Sequence, residues 1–352
     1  MELSNIALNN PTYRPAKPWE ARKRLRRAAI TSVGHYLPED VLDNKHFSSY
    51  LETSDEWIKT RTGIETRRIL RNGATSDLAV PAAKMALERR GIGVNDIDVI
   101  IVCTVTPDMM FPSTACVVQA KLGAENVWGF DVSAACSSFL FGLDTAARYV
   151  ESGAYDRVLV IGADKMSSIL DYNDRNTCIL FGDGAGAVIV EASEDDSVGY
   201  MDSILRIDGS GGQYLNMKAG GSLNPASHET VDKKWHYVYQ EGKAVFKSAV
   251  VGMADVSHEI MQRNNLKADD VAYLVPHQAN LRIIDATRER MGLSPDKVMI
   301  NIQKYGNTTA GTIPICLSEW WQDGKLKCGD NLVLSSFGAG YTWGAILLKW
   351  AY

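Results

Sequence analysis

The sequence lacks the features that mark several common protein classes. Its six cysteines include no CxxC pair and its six histidines form no HExxH motif, which argues against a disulfide framework and a zinc site. No apolar stretch is long enough to span a bilayer, and the N-terminus has no contiguous apolar segment of a secretory signal. The formal charge of −5 does not favour nucleic-acid binding. These absences predict a reduced, cytoplasmic protein that binds no metal, no membrane and no nucleic acid.

What is present is the composition of a globular protein. Apolar residues make up 45% and charged residues 22% of the 352 positions, a length that fits two domains or two fused, similar halves. Residues 1–27 differ, because they carry three prolines and the basic cluster Arg22–Arg27. They predict an N-terminal extension before a first strand at Ala28. The alternative is that the basic cluster attracts an acidic carrier protein or helps an oligomer contact.

Cys136 is the most informative single residue. Val127–Val132 predicts a short buried strand, and apolar residues recur at helical spacing from Phe139 to Val150. A cysteine between these elements lies at a helix N-terminus, where unpaired amides and the macrodipole favour an anion. We therefore expect its thiol to ionise more readily than a free thiol and to act as a nucleophile. The alternative is a small, buried apolar side chain.

The second half of the chain repeats the pattern of the first. Gly153 and Gly324 each end a predicted helix before a charged turn and an apolar strand, and they are separated by 171 residues. Cys136 and Asn307 have the same separation, so Asn307 occupies in the second half the position of Cys136 in the first. Two similar α/β halves packed about a pseudo-twofold axis bring such helix starts together. We expect one half at 28–200 and the other at 201–352.

Two polar residues and a glycine-rich turn complete a candidate site. His277 follows the predicted strand at 269–275, and Asn307 and Cys136 are also expected at strand ends, where sites form in α/β sheets. The turn within Ser335–Gly344 can supply backbone N–H groups to an oxyanion. Each feature also has a structural alternative: a hydrogen-bonded histidine, an asparagine helix cap and a tight turn.

The glycine-rich segment Gly182–Ala187 is not a dinucleotide-binding loop by its context. That loop needs a strand before it and a helix after it, whereas Val188–Val190 continues as a β-branched run. We expect a turn or kinked strand where backbones approach closely.

Taken together, these features resemble the thiolase superfamily, and most closely the β-ketoacyl-acyl-carrier-protein synthase III family. The resemblance extends from about residue 28 to the end of the chain. It is carried by Cys136, His277, Asn307 and the segments Thr53–Ile64, Phe111–Ala115, Phe181–Gly186, Val275–Arg282 and Tyr341–Gly344. It implies an α/β, thiolase-like fold of two duplicated halves in α-β-α-β-α layers, and a homodimer.

The resemblance implies an acyltransferase that needs no metal or redox cofactor. Cys136 would accept the acyl group of an acyl-CoA starter, and malonyl-acyl carrier protein would be the second substrate. His277 and Asn307 would donate hydrogen bonds to its thioester oxygen while the carboxylate leaves. The backbone N–H groups of Cys136 and Ala339 would hold the oxyanion of the condensation step. The product would be a β-ketoacyl-acyl carrier protein that initiates fatty acid synthesis.

The resemblance also implies binding roles. The residues implied for CoA are Trp57, Arg61, Arg175, Gly242 and Asn280. Those implied for the carrier protein are Gln278 and Arg282, and Arg61 fits either charged partner. The acyl pocket would contain Phe111, Phe246 and Phe337, with Phe111 reaching across a dimer interface. Core packing is the alternative for each phenylalanine.

The sequence departs from the family pattern in three places. Ala339 stands where many relatives have the second of three glycines, which keeps the N–H as long as its φ is negative. The N-terminal extension and the polar loop Ser222–Trp235 have no function that the family supplies, and the loop leaves the starter open.

Related enzymes remain as alternatives. Thiolase needs a second cysteine where this chain has Ala339, and elongating ketosynthases pair their cysteine with two histidines, whereas here the second partner is Asn307. A 3-hydroxy-3-methylglutaryl-CoA synthase, a ketosynthase of specialised polyketide metabolism with another starter or acceptor, a silent partner subunit and a cysteine hydrolase are the other readings. We expect Cys136 to separate the enzyme from the silent subunit.

Overall fold

A computed structural model describes residues 26–352, so the predicted extension lies outside the described residues except for Arg26 and Arg27. The strands are β1 (Ala28–Tyr36), β2 (Val41–Asp43), β3 (Thr66–Arg68), β4 (Val99–Cys103), β5 (Trp128–Val132), β6 (Arg157–Asp164), β7 (Gly184–Ala192), β8 (Gly199–Ile207), β9 (Leu215–Asn216), β10 (Tyr239–Gln240), β11 (Tyr273–Pro276), β12 (Asn331–Gly338) and β13 (Thr342–Lys349). The helices are α1 (Asn44–Ser48), α2 (Asp55–Thr62), α3 (Thr75–Arg90), α4 (Thr114–Leu122), α5 (Ser138–Glu151), α6 (His228–Asp232), α7 (Gly242–Arg263), α8 (Leu281–Met291), α9 (Ile302–Tyr305) and α10 (Thr312–Gln322). The 3-10 turns Ala135–Ser137 and Thr309–Gly311 directly precede α5 and α10.

Two mixed sheets form the frame of the molecule, and their strand orders match. The first sheet has the order β1-β7-β6-β4-β5 and the second the order β8-β13-β12-β11. In both sheets the two strands nearest the start of the order pair antiparallel, and the later pairs β6–β4 and β12–β11 are parallel. A single parallel bridge between Leu274 and Val298 lies where β5 lies in the first sheet. The repeated sequence pattern therefore corresponds to a repeated topology.

The helices lie in three layers around these sheets. One core contains α5 and residues of α10 between the two sheets, with Phe139, Leu143 and Val150 of α5 buried there. The outer face of the first sheet is covered by α3 and α4, and that of the second by α7 and α8. Strand β6 is apolar on both faces because helices cover both sides of its sheet. The predicted α-β-α-β-α order is confirmed.

The turns before the two central helices also correspond. Ala135, one residue before Cys136, has φ of 48°, and Gly306, one residue before Asn307, has φ of 63°. Ala135 and Gly306 are again 171 positions apart, so the left-handed backbone is repeated along with the helices. The predicted helix-ending glycines, Gly153 and Gly324, have φ of 69° and 67°, as helix-terminating glycines commonly do.

Three details differ from the sequence predictions. Strand β5 is half-buried rather than buried, because β4 is its only neighbour in the described chain and it forms the sheet edge. The boundary predicted after residue 200 falls inside β8, a strand of the second sheet, so we propose a boundary before Gly199. Asn307 follows the short helix α9 rather than a strand, and its backbone forms an isolated bridge with Phe181.

The glycine-rich segment that starts at Gly182 behaves as predicted. It leads into β7 instead of a helix, and a Cβ on Gly186 would lie 2.7 Å from the backbone nitrogen of Ile315 in α10. The glycine thus lets the central helix approach the sheet closely.

Within residues 26–352 no helix has the length and apolar character needed to cross a bilayer. All six cysteines lie in this part of the chain, and each is a free thiol.

Candidate active site

Cys136 lies in the 3-10 turn before α5, as predicted, and the second half of the chain holds that turn from the other side. Ser336 donates its hydroxyl to the Cys136 carbonyl at 2.8 Å. Ser137 donates its hydroxyl to the Thr342 carbonyl at 2.9 Å. The cysteine is therefore fixed between β12, β13 and its own helix.

The expectation that the Cys136 thiol ionises readily is wrong in this structure. Burial raises the pKa of the Cys136 thiol to about 12, and the negative charge of Asp164 adds to the increase. The start of α5 favours an anion, but desolvation outweighs it. In the resting protein the nucleophile is a neutral thiol at pH 7.

His277 directly follows β11 and is buried. Its N–H donates to the Ser335 carbonyl at 2.7 Å, which joins it to β12. Burial lowers the pKa of His277 to about 3, so the imidazole is neutral. Nε2 has no hydrogen-bond partner among the described residues, whereas Nδ1 lies 2.8 Å from the Thr312 hydroxyl. Nε2 is thus the nitrogen that is left for a substrate.

Thr312 controls which nitrogen of His277 carries the proton. Its hydroxyl donates to the Thr309 carbonyl at 3.0 Å, so its lone pair accepts from Nδ1–H of His277. The Thr309 carbonyl also accepts from the Thr312 N–H, so the hydroxyl can turn towards Nδ1 without leaving that oxygen unpaired. After that turn the imidazole carries its hydrogen on Nε2 and can donate to a ligand.

Asn307 is held through its backbone and its side-chain oxygen. Its N–H donates to the Leu180 carbonyl at 2.9 Å, and its own carbonyl accepts from Gly182 at 3.0 Å. Oδ1 accepts from the Thr309 N–H at 2.8 Å. Because the oxygen is engaged, the Nδ2 amino group is the part of the side chain that can donate to a bound molecule.

The hairpin between β12 and β13 brings backbone N–H groups to Cys136. A Cβ on Gly338 would lie 2.7 Å from the Cys136 nitrogen, so only glycine permits this approach. Ala339 is not among the described residues with positive φ, which meets the condition for an alanine at this position. Gly340, with φ of 136°, does require glycine.

A cavity of about 810 Å³ joins these groups. That size is typical of sites for elongated small molecules. Of the residues predicted for the site, those that line this cavity are Cys136, His277, Asn307, Ala339, Trp57, Arg61, Arg175, Gly242, Asn280, Arg282, Phe246 and Phe337.

Trp57 and two arginines stand at one part of the cavity. The guanidinium carbon of Arg175 lies 5.4 Å, and that of Arg61 5.8 Å, from the centre of the Trp57 ring. Trp57 is 39% exposed, so its ring is accessible to a planar ligand. A planar cation beside an exposed indole is suited to hold an aromatic base with phosphates.

Asn280 and Arg282 lie at the start of α8. Asn280 caps that helix, since its Oδ1 accepts from the Arg282 N–H at 2.9 Å, and its amide donates to the Arg61 carbonyl at 2.9 Å. The Arg282 guanidinium lies 4.8 Å from the centre of the Phe246 ring. Gly242 begins α7, and a Cβ there would meet no atom within 4 Å, so the space beside it is open.

The structure gives Gln278 a structural role instead of the predicted carrier-protein contact. It is fully buried and does not line the cavity. Its amide donates to the carbonyls of Pro276 and Met299, and its oxygen accepts from the N–H groups of Asn301 and Ile302. All its hydrogen-bonding groups are therefore used inside the protein.

Phe111 lies outside the cavity of its own chain and is 84% exposed. Its role in an acyl pocket across a dimer interface stays a prediction.

Sequence reasoning missed the residues that orient the site. Thr309 lines the cavity and Thr312 contacts His277, but threonine near a helix start is common and carried no signal. Asp164 did carry one, because it is a lone acid directly after the apolar run Val158–Ala163 of a strand with both faces covered.

Comparisons with known proteins agree with this geometry. Residues 130–209 match the model of 3-oxoacyl-acyl-carrier-protein synthase III, and residues 261–350 match its C-terminal model. The β-ketoacyl-acyl-carrier-protein synthase III of Chlorobium chlorochromatii is 62% identical over 327 residues, which cover 92% of this chain and 99% of that protein.

Solved structures give the same result. The 3-oxoacyl-acyl-carrier-protein synthase III of Aquifex aeolicus is 43% identical with a TM-score of 0.85, over 92% of this chain and all of that chain. The priming β-ketosynthase of the R1128 polyketide pathway is 33% identical with a TM-score of 0.85, over 94% and 98%. The fold is thus thiolase-like, and the chain belongs to the 3-oxoacyl-acyl-carrier-protein synthase III family.

Proposed function

We propose that this protein condenses an acyl-CoA starter with malonyl-acyl carrier protein, with loss of CO2, and so initiates fatty acid synthesis. The observation that carries the proposal is the convergence of Cys136, His277, Asn307 and the Ala339 backbone on one cavity. Membership of the synthase III family agrees with it.

Acylation comes first. The Cys136 sulfur attacks the thioester carbon, and the N–H groups of Cys136 and Ala339 donate to the oxyanion. When the tetrahedral intermediate collapses, the bond to the CoA sulfur breaks and the thiol proton ends on that sulfur. The products are acyl-Cys136 and CoA. A neutral thiol suits this step, because its proton is available to the leaving group.

Decarboxylation follows on the malonyl thioester. The bond to the carboxylate breaks, CO2 leaves, and the electron pair moves onto the thioester oxygen. The Nδ2 group of Asn307 and Nε2–H of His277, in the tautomer that Thr312 permits, donate to that oxygen. The resulting carbanion attacks the acyl-Cys136 carbonyl, and the carbon–sulfur bond breaks to release the β-ketoacyl product and the cysteine.

The remaining cavity residues bind the substrates. Trp57 and Arg175 hold the adenine of CoA, and Arg61 contacts its phosphates. Gly242 and Asn280 border the passage of the phosphopantetheine arm. Arg282 attracts the acidic carrier protein, while Phe246 and Phe337 border the acyl chain. This chemistry calls for no metal or redox cofactor, and we place it in the cytoplasm.

A homodimer through the β5 edge completes the proposal. The edge of β5 is free in the described chain, and exposed strand edges tend to pair. Trp128, Phe130 and Tyr149 are only partly buried beside it, and Phe111 is exposed. A second copy paired along β5 would cover this apolar surface, and Phe111 would reach towards the partner's cavity.

The test is condensation by the purified protein with malonyl-acyl carrier protein and a panel of acyl-CoA starters. We expect a β-ketoacyl product with a short starter, and Cys136 acylated when the starter is given alone, as seen by peptide mass spectrometry. Cys136→Ala should give neither signal. Release of free acid instead of a condensed product would contradict the proposal.

A priming role in polyketide synthesis is the second candidate, and the likeness to the R1128 priming ketosynthase favours it. The same panel separates the two, since a strong preference for an unusual starter over acetyl-CoA would indicate the polyketide role.

A further inference from the structure

Asp164 is a buried carboxylate that the proposed mechanism does not use. It ends β6, has no exposed surface, and has no lysine or arginine within ion-pair distance in residues 26–352. A charge in such a place is costly unless hydrogen bonds satisfy it. Burial raises the pKa of Asp164, and hydrogen bonds from its neighbours oppose that increase.

The donors to Asp164 come from both halves of the chain. Oδ1 accepts from the Thr104 hydroxyl at 2.9 Å, the Val105 N–H at 2.8 Å, and the N–H and hydroxyl of Thr106 at 3.1 and 2.9 Å. Oδ2 accepts from the Thr309 hydroxyl and, at 3.3 Å, from the Ala310 N–H. One oxygen is thus bound by the first half, and the other by the turn that follows Asn307.

Thr309 is the point at which these bonds meet the active site. Its backbone has φ of 49°, a strained value for a β-branched residue that costs about 1–3 kcal/mol unless its surroundings hold it. Its N–H orients the side chain of Asn307. Its carbonyl accepts from Thr312, whose hydroxyl contacts His277.

We propose that Asp164 is a positioning residue that, through Thr309, holds Asn307 and His277 in the geometry needed for decarboxylation. The carboxylate touches no substrate. It fixes the hydroxyl of Thr309, and the fixed turn then aims the Asn307 amide and the Thr312 hydroxyl. Since the donors are hydroxyl and N–H groups, a carboxylate satisfies them all, whereas an amide would place its own N–H2 against a donor.

The inference rests on the proposed function, and its test separates acylation from decarboxylation. The variants are Thr309→Val, which removes the bond to Asp164 at nearly constant volume, Thr309→Ser, which keeps the hydroxyl, and Asp164→Asn. Thr104→Val is the matched control, because it removes a hydroxyl from the same carboxylate on the side away from Asn307. Each protein is assayed for release of CO2 from malonyl-acyl carrier protein and for acylation of Cys136 by acetyl-CoA.

We expect Thr309→Val to lower the kcat of decarboxylation by about 10²-fold, the size of effect that a small misplacement of a reacting group causes, and to leave KM and acylation near wild type. Thr309→Ser and Thr104→Val should decarboxylate at close to the wild-type rate. Should Asp164→Asn not fold, the threonine variants alone decide.

Asp164→Asn offers a second readout that a purely structural residue would not move. Because the Asp164 charge disfavours the Cys136 thiolate, the folded variant should react faster with iodoacetamide at pH 8, with the neutral His277 as the other titratable group that lines the cavity. Wild-type decarboxylation by Thr309→Val, or an equal loss in Thr104→Val, would overturn the inference. Failure of the wild-type protein to release CO2 would instead refute the proposed function.

Discussion

At the scale of single residues, the cavity keeps its two titratable groups uncharged. Burial raises the pKa of Cys136 to about 12 and lowers the pKa of His277 to about 3. A thiolate–imidazolium pair, on which cysteine hydrolases rely, is therefore disfavoured across the neutral range. This argues against the hydrolase alternative and for a reaction in which the thiol proton leaves with CoA.

The raised pKa of Cys136 predicts how its alkylation depends on pH. Below its pKa the thiolate fraction grows tenfold with each pH unit, so the rate with iodoacetamide should rise about tenfold per unit from pH 7 to 9 without levelling off. Peptide mass spectrometry resolves Cys136 from the other thiols, and the exposed Cys116 is an internal reference. A plateau near pH 7 would mean that the helix terminus prevails over burial.

Asn307→Asp tests the donor role of the amide. The carboxylate has nearly the same shape and can keep the bond from the Thr309 N–H, but it cannot donate to a thioester oxygen. We expect decarboxylation to fall by about 10²–10³-fold, as on removal of one oxyanion donor, and acylation of Cys136 to persist. Normal CO2 release by this variant would exclude Asn307 from the mechanism.

At the scale of elements, the hairpin between β12 and β13 requires glycine at one position and tolerates alanine at the next. Gly338→Ala places a methyl group against the Cys136 nitrogen and should lower acylation by about 10²-fold through displaced N–H donors. Ala339→Gly keeps the N–H and is the matched control, with acylation near wild type. Both rates follow from mass spectrometry of acyl-Cys136, and equal losses in the two variants would show that the hairpin lacks this asymmetry.

The segment beside Asn307 is held from behind by Arg67. This side chain is fully buried, donates to the Ile179 carbonyl and to Asn44, and lies over the Phe47 ring at 4.8 Å. Burial lowers the pKa of Arg67 to about 10, which shows how strongly the site is desolvated. The segment at Ile179 continues to Leu180, whose carbonyl binds Asn307.

Arg67→Lys should therefore destabilise the protein although it keeps the charge. Lysine cannot reproduce the planar set of donors, and buried carbonyls left without partners cost about 1–3 kcal/mol each. We expect the free energy of unfolding in urea to fall by about 3 kcal/mol. Arg71→Lys, which alters an exposed ion pair with Asp40, is the control and should change it by less than about 0.5 kcal/mol. Equal stability of the two variants would contradict the role of Arg67.

The sequence predicted those parts of the site that depend on local pattern. The equal spacing of Cys136 and Asn307 pointed to equivalent helix starts, and the model has the same left-handed residue before each. It could not predict contacts made by distant side chains, such as Thr309 with Asp164 or Gln278 with Asn301, because no periodicity encodes them. Helix α9 was missed because a four-residue helix has too few turns to show a pattern.

At the scale of the whole molecule, the exposed loop before α4 is the feature that the single chain leaves without a partner. Phe111 is 84% exposed, and Met109 and Met110 beside it are 48% and 74% exposed. Apolar side chains clustered in this way mark an interaction site. If the proposed dimer forms, Phe111 limits the acyl space of the partner's cavity while contributing little to the stability of its own chain.

Phe111→Ala should then change starter preference without weakening the fold. The larger acyl space should raise kcat/KM for longer acyl-CoA starters relative to acetyl-CoA by about tenfold, the effect of one or two methylene groups in a pocket. The melting temperature should stay within a few degrees of wild type, since the side chain buries little surface in its own chain. Leu223→Ala, at a position that is 89% exposed in another loop, is the matched control and should leave starter preference unchanged. Light scattering would report the mass of each variant, and an unchanged starter preference in a dimeric Phe111→Ala protein would exclude Phe111 from the acyl pocket.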